Sequence, residues 1–176
     1  MHYAIVATDH DLQKADSIDS GLGEKLAAIF GMERVVLVAE EVDANTHVDT
    51  FGRELSRVIG ENRWLSIDMT DVQRREAGIL DRVAGRRLPG YREGKFFPAT
   101  RYYRGADGIR ENFWLDKIED KCHELQVVEG TILITCGYIH GPFLREKATG
   151  RGHVVTLEKY LPYEFESVHG ELLVCD

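Results

Sequence analysis

Histidine and carboxylate side chains follow three apolar segments of this sequence, and side chains of these types can bind a metal ion or transfer a proton. "YAIVATDH" ends in His10, "VVLVAEE" ends in Glu40 and Glu41, and "ILITCGYIH" ends in His140. Imidazole and carboxylate groups are common ligands of zinc, manganese and cobalt in proteins. We therefore predict a metal site formed by His10, His140 and either Glu40 or Glu41.

The segments that carry these residues are typical of buried parallel strands, because they are short, apolar and separated by helical patterns. This alternation predicts an α/β fold, with a mostly parallel sheet of about five strands between helices on both faces, in three layers. We expect the strand order 3-2-1-4-5, in which strand one lies between strands two and four. Ligands of such sheets bind at the carboxyl ends of the strands, where these side chains would converge.

A helix predicted from Asp107 or Gly108 to about residue 125 adds two more candidates. Its apolar stripe includes Trp114, and Glu111 lies on the same stripe with Arg110 at its edge. A carboxylate that faces the core is costly unless it is paired. We therefore expect Glu111 or Glu41 to accept a proton during catalysis, and Arg110 to stabilise an oxyanion or a substrate carboxylate.

The acidic composition argues against nucleic acid as a general partner. The chain has 22 Lys and Arg against 30 Asp and Glu, a formal net charge of −8, whereas phosphate binding needs a basic face. The 176 residues fit a single α/β domain over 1–176. Local exceptions are the arginines of a long Arg-, Tyr- and Gly-rich loop at about residues 85–108.

The cysteines and the apolar segments indicate a compartment. Cys122, Cys136 and Cys175 are odd in number and have no zinc-type CxxC spacing, so we expect reduced thiols in the cytoplasm. No apolar segment approaches the roughly 20 residues that span a membrane, and "MHYAIVATDH" resembles a strand more than a signal peptide. We expect a small-molecule or peptide substrate, and assembly into a homo-oligomer is left open.

Short motifs follow one another in order from residue 3 to about 157. "ATDHDLQ" contains Thr8 and Gln13, "LVAEE" ends the second strand, and "IDMTDVQRREAGI" contains Asp68 and Arg74; "RENFW" and "GYIH" come next. This order resembles the TraB/GumN group, which is similar to the Tiki proteases and more remotely to the erythromycin-esterase and ChaN-like proteins. A departure is Ala7, where members often carry glycine.

The resemblance implies an α/β fold whose site contains the N-terminal histidine, the glutamate of strand two and the histidine of the GxxH motif. It also implies metal-dependent hydrolysis, with manganese or cobalt favoured in the proteolytic members. The matching motifs bring Gln13, Asp68, Arg74 and Trp114 to the same site, where we expect them to bind substrate.

These observations predict a hydrolase that depends on a divalent metal ion (Mn, Zn or Co), which would lower the pKa of a bound water. Two alternatives stay open. One is a non-catalytic Rossmann-like binding or sensor module for an anionic ligand, a nucleotide or a protein partner, suggested by the arginine-rich loop. The other is a metal-free hydrolase with His10 as base, supported electrostatically by Glu40 and Arg110.

Overall fold

The computed structural model describes residues 1–16, 21–42, 49–80 and 101–160, and within them five strands form one parallel sheet. The strands are β1 (His2–Thr8), β2 (Val35–Glu40), β3 (Trp64–Ser66), β4 (Thr131–Gly137) and β5 (Val154–Tyr160). The predicted α/β class is confirmed.

Helices connect these strands and cover the sheet. They are α1 (Gly21–Met32), α2 (Phe51–Ser56), α3 (Asp71–Glu76), α4 (Arg101–Glu124) and α5 (His140–Gly150). Two 3₁₀ turns, His10–Gln13 and Glu61–Arg63, precede α1 and β3. Within the described ranges, no helix combines the length and the apolar character needed to cross a bilayer.

The strand order is β3-β2-β4-β1-β5, so the predicted order 3-2-1-4-5 is wrong for β1 and β4. β4 lies between β2 and β1, and it pairs with β1 along the full length of both strands, from His2 beside Thr131 to Thr8 beside Gly137. The wrong order has a simple reason. β1, β2 and β4 are all buried on both faces, so their apolar sequences identify them as interior strands but do not show which two are neighbours.

Side chains that alternate along the strands form a core on each face of the sheet. In β1, Tyr3, Ile5 and Ala7 belong to one core and Ala4 and Val6 to the other. Helices α4 and α5 cover the first core, and α1 covers the second. The helix residues that close these cores include Trp114, Leu115, Ile118 and Leu144 on the first face, and Leu22, Leu26 and Ile29 on the second.

Helix α4 begins at Arg101, so the last part of the loop predicted at 85–108 is wrong. Residues 85–100 lie outside the described residues. The loop was predicted from the glycine-rich composition. These glycines are not required by close packing, because an added Cβ would meet no atom within 4 Å at Gly105 and only Lys147, at 3.8 Å, at Gly108. The earlier start puts Asp107 inside the helix, one turn before Arg110 and Glu111.

Helix α5 begins at His140, three residues after the end of β4. The helix start lies directly on the sheet, because a Cβ added at Gly141 would come within 2.6 Å of the Ala7 Cβ. Glycine at this position lets α5 approach β1 closely. The first turn of α5 therefore holds His140 against the end of the sheet.

Candidate functional site

The carboxyl ends of β1, β2 and β4 meet helix α4 at one edge of the sheet, and polar groups converge there. His10, Glu41 and Asp68 follow the ends of β1, β2 and β3, Gly137 ends β4, and His140 begins α5. Helix α4 contributes Asp107, Arg110 and Glu111 from one face of its second and third turns. The groups that meet are those of His10, Glu41, Asp68, Asp107, Arg110, Glu111, Gly137 and His140.

Glu41 is the buried centre of this cluster. Its Oε1 accepts a 2.6 Å hydrogen bond from Nη2 of Arg110, and its Oε2 accepts one of 2.7 Å from the Gly137 N–H. Nε2 of His10 and Nε2 of His140 each lie 3.6 Å from the same Oε1. Burial acts to raise the pKa of Glu41, but the imidazoles, the guanidinium and the N–H together lower it to about 2. Glu41 is therefore ionised at neutral pH.

Arg110 directs its N–H groups at protein acceptors. Its Nε and Nη2 donate to Asp68 Oδ1 at 3.2 and 3.0 Å, and Nη2 also donates to Glu41. Its Nη1 donates to Asp107 Oδ1 at 3.1 Å and lies 3.3 Å from Nε2 of His140. Burial acts to lower the pKa of Arg110, but the three carboxylates raise it above its usual value. Four of the five N–H groups donate to carboxylates and the fifth points at the His140 ring, so the guanidinium is turned toward protein groups and not toward a substrate oxyanion, which differs from the predicted role.

Asp68 and Arg74 support Arg110 from the side of α3. Nη2 of Arg74 lies 3.2 and 3.0 Å from the two oxygens of Asp68, and its Nε donates to the Met69 carbonyl at 3.4 Å. Both side chains are largely buried. We predicted substrate contacts for this pair; the geometry instead makes Asp68 the bridge between two arginines.

His140 is held by Glu111 beneath the cluster. Nδ1 of His140 lies 2.9 Å from Oε1 of Glu111, and Oε2 of the same glutamate lies 3.9 Å from Nζ of Lys147. Burial acts to lower the pKa of His140, but Glu41 and the bond to Glu111 outweigh it and raise the pKa. The 3.3 Å contact with Arg110 is a hydrogen bond only when the ring is neutral, because both groups otherwise donate.

Glu111 and Trp114 lie too deep for the roles that the sequence suggested. Glu111 is 1% exposed, so it orients His140 and does not meet solvent. Trp114 is fully buried; its ring meets the His140 ring edge-on at 4.8 Å between centroids, and the Arg110 guanidinium lies 5.0 Å from its centroid. Trp114 therefore packs behind the site and fixes two of its side chains.

His10 is the solvent-facing member of the cluster, with 56% of its side chain exposed. It sits on the end of β4, because a Cβ added at Gly137 would come within 3.0 Å of its Nε2 and within 3.2 Å of Glu41 Oε2. Gly137 has no positive φ and belongs to β4, so the chain makes no sharp turn at this glycine. The glycine instead leaves space for the imidazole and the carboxylate.

Glu40 lies on the opposite face of the sheet, so its predicted position beside His10 and His140 is wrong. Successive residues of a strand point to opposite faces, and Glu40 points toward α2. Its carboxylate accepts from the hydroxyls of Thr50 and Thr135 and from the indole N–H of Trp64. Burial raises the pKa of Glu40, and these neutral donors only partly offset it.

Gln13 and Thr8 are buried polar residues near the base of His10. Gln13 is 2% exposed and Thr8 fully buried, and neither the Gln13 amide nor the Thr8 hydroxyl has a hydrogen-bond partner in the described part of the chain. Leu12 and Gln13 form the buried side of the 3₁₀ turn, which packs on β4. The structure thus brings the predicted Gln13 near the site but gives its amide no contact with His10 or Glu41.

A divalent metal ion does not fit these residues. Over residues 1–16, 21–42, 49–80 and 101–160, no group of three or more His, Cys, Asp or Glu side chains has the geometry to hold a metal. The predicted ligand Glu40 is on the other face, and its neighbour Glu41 already binds Arg110. A permanent cation therefore occupies the point where His140 and Glu41 would meet an ion.

Comparison with protein-family models, with curated proteins and with solved structures finds no match to this chain. The resemblance to the TraB/GumN group therefore stays a prediction, as do the substrate class and the oligomeric state.

Asp107 is the member of the cluster that the sequence did not indicate. The sequence predicts that the helix begins at Asp107 or Gly108, so it assigns this residue to no face of the helix. Once α4 is known to begin at Arg101, the spacing from Asp107 to Arg110 and Glu111 places all three on one face of the helix. An acidic residue three positions before an arginine inside a helix is the signal that could have found it.

Proposed function

We propose that this protein is a hydrolase that works by general acid–base catalysis at the carboxyl edge of its sheet, without a divalent metal ion. The observation that carries the proposal is the pairing of a half-exposed imidazole, His10, with a buried ionised carboxylate, Glu41, at 3.6 Å. An imidazole at the solvent boundary with a carboxylate behind it is the arrangement of a general base. The edge where it lies is also where α/β sheets bind their ligands.

His10 acts on a water molecule at the mouth of the site. Nε2 faces Glu41, so Nδ1 is the nitrogen that takes a proton from the water as the water attacks an electrophilic centre of the substrate. The imidazolium formed in this step is stabilised by the Glu41 carboxylate. The same imidazolium then returns the proton to the leaving group, which restores neutral His10.

The buried residues behind Glu41 keep it charged and in place. Arg110 and the Gly137 N–H each bind one of its oxygens, so both the ionisation state and the direction of the carboxylate are fixed before substrate arrives. The metal-free alternative predicted from the sequence assigned the electrostatic support of His10 to Glu40 and Arg110. Here Glu41 takes the role of Glu40. Arg110 is a positioning residue and does not touch substrate.

The test is a hydrolysis screen with activated esters, phosphoesters and peptide anilides, each run in the presence of EDTA. We expect activity that survives chelation and falls about 10²–10⁴-fold in His10→Gln, the usual contribution of a general base. His123→Gln is the matched control, because His123 is exposed on α4 outside the cluster and its replacement leaves activity unchanged.

Two outcomes would contradict the proposal. Activity that is abolished by EDTA and restored by Mn²⁺ or Zn²⁺ would instead support the metal-dependent hydrolase predicted from the sequence. No hydrolysis of any substrate, together with a rise in melting temperature on adding a nucleotide, would favour the binding module.

A further inference from the structure

Four potential metal donors from four parts of the chain point at a single side chain, that of Arg110. The carboxylates of Glu41, Asp68 and Asp107 bind it at 2.6–3.2 Å, and Nε2 of His140 lies 3.3 Å away. Glu41 follows β2, Asp68 follows β3, Asp107 lies on α4 and His140 begins α5. The fold has therefore gathered an oxygen- and nitrogen-rich donor set around a guanidinium.

This donor set needs a cation at its centre. Three carboxylates, each no more than about a tenth exposed at the side chain, would repel one another without a positive charge between them. Carboxylate and imidazole donors are also those that bind Mn²⁺, Zn²⁺ and Co²⁺. A guanidinium meets the same need with one permanent charge and five directed N–H groups.

We infer that Arg110 is an internal cation that stands where Glu41, Asp68, Asp107 and His140 would otherwise hold a divalent metal ion, and that removing its side chain turns the cluster into a divalent-metal site. The inference depends on the contacts of Arg110 and holds whether or not the protein is a hydrolase. It adds to the proposed function a reason why the site works without metal.

The geometry leaves room for the exchange. Arg110→Ala removes every atom beyond Cβ, and the donors that faced the guanidinium nitrogens then face the space it filled. Nε2 of His140 lies 3.6 Å from Oε1 of Glu41 and 4.0 Å from Oδ1 of Asp107, and these separations are close enough for one Zn²⁺ ion with ligand bonds of about 2.0–2.2 Å to lie between the donors. Arg74 still pairs with Asp68 in this variant, which leaves Glu41, Asp107 and His140 as the principal ligands.

The experiment is a titration of Arg110→Ala with Co²⁺, followed by the visible absorption of bound cobalt, together with melting curves in Mn²⁺, Zn²⁺ or EDTA. We expect Arg110→Ala to bind the ion, and its melting temperature to rise by roughly 5–10 °C at a hundredfold excess of ion over Kd. Wild type and Arg34→Ala give neither signal. Arg34 is a matched control because it is an arginine that pairs with a carboxylate, Glu129, at the exposed surface and outside the cluster.

A second substitution locates the ion. In Arg110→Ala combined with Glu41→Gln, or with His140→Gln, the cobalt signal should weaken at least tenfold. Should Arg110→Ala fail to fold, Arg110→Gln is refolded with and without Zn²⁺, and recovery only with Zn²⁺ supports the inference.

Each of four results would overturn it. The first is that folded Arg110→Ala does not bind the metal ion, and the second is that wild type binds it equally well. The third is that binding persists in both double variants, and the fourth is that Zn²⁺ restores the folding of neither Arg110→Ala nor Arg110→Gln. None of these experiments measures hydrolysis, so they test the inference even if the protein has no hydrolase activity.

Discussion

Glu40 and Glu41 are neighbours in the sequence and are both buried, yet they lie in opposite electrostatic surroundings. Glu40 faces α2 and accepts from neutral donors, which include the hydroxyls of Thr50 and Thr135 and the indole N–H of Trp64. Glu41 lies among two imidazoles and the Arg110 guanidinium. Burial accordingly raises the pKa of Glu40, whereas the cations lower that of Glu41.

The end of β2 therefore contributes to stability on one face of the sheet and to the proposed site on the other. A strand turns successive side chains to opposite faces, so the pair "EE" divides between the two layers of helices. Glu40 ties α2 and β3 to β2 through neutral hydrogen bonds. Glu41 gives the proposed site its fixed negative charge.

Substitution of each glutamate by glutamine is expected to have the largest and most unequal effects. Glu41→Gln leaves Arg110 and His140 without their shared carboxylate, so we expect a loss of about 3–5 kcal/mol in unfolding free energy, as for one partner of a buried ion pair. Hydrolysis should fall about 10²–10⁴-fold with it. Glu40→Gln keeps the shape and an acceptor oxygen, and we expect it to change stability by only about 1 kcal/mol.

Urea denaturation of both variants at pH 7, with hydrolysis measured on the folded fraction, checks this contrast. Equal destabilisation by the two substitutions would mean that the cations around Glu41 contribute nothing beyond ordinary hydrogen bonds.

Glu40 and Glu41 are also expected to change the unfolding free energy in opposite directions as the pH changes. Glu41 has a folded pKa of about 2 against 4.5 for an ordinary glutamate, so its contribution is full above pH 4.5 and is lost as the pH falls from 4.5 toward 2. A shift of this size is worth about 3 kcal/mol. Glu40 has a raised folded pKa, so it has the opposite sign and costs stability as the pH rises above 4.5.

Unfolding free energies of wild type, Glu41→Gln and Glu40→Gln between pH 2.5 and pH 7 test both signs, because the titration of surface groups is common to all three proteins and cancels in their differences. The advantage of wild type over Glu41→Gln should grow with pH up to 4.5, and that over Glu40→Gln should shrink above it. Parallel curves for the two variants would contradict the assignment.

The sequence indicated the class of the fold and most of the site, because both depend on local patterns. Apolar segments marked the strands, and the rule that ligands bind at strand ends selected His10, Glu41 and His140. The stripe of α4 placed Glu111 in the core, where it is 1% exposed. These features require only the periodicity of one element.

The features that failed depend on relations between elements. The order of β1 and β4 depends on which crossover each helix makes, and their similar apolar patterns do not decide it. The face of Glu40 depends on the residue at which β2 ends. The start of α4 was missed because glycine has a low helix propensity, and composition does not reveal the contact between Asp107 and Arg110 inside the helix.

Glycines provide a smaller test, because each glutamate packs against one. A Cβ at Gly52 would lie 2.6 Å from the Glu40 carboxylate, and one at Gly137 would lie 3.2 Å from Glu41 and 3.0 Å from His10. We expect Gly52→Ala to cost about 1–3 kcal/mol through overpacking, with little effect on hydrolysis by the folded protein. Gly137→Ala displaces the half-exposed His10, so hydrolysis should fall while stability changes less.

Thermal unfolding and hydrolysis rates of both variants distinguish the two sides of the sheet. Gly31→Ala is the control, because no atom lies within 4 Å of its added Cβ, and helix propensity predicts a gain of about 0.5–1 kcal/mol. Loss of hydrolysis in Gly52→Ala equal to that in Gly137→Ala would place Glu40 in the site.

The smallest expected effect concerns Gln13, which shares its 3₁₀ turn with His10. Its amide is 2% exposed and unpaired in the described part of the chain, and a buried amide without a partner destabilises the folded state. Gln13→Met fills the same volume without polar atoms, so we expect unfolding free energy to rise by about 1 kcal/mol. If the amide instead binds substrate, the same variant raises KM while kcat is kept. A fall in stability would show that Gln13 has a structural partner, and would remove it from the site.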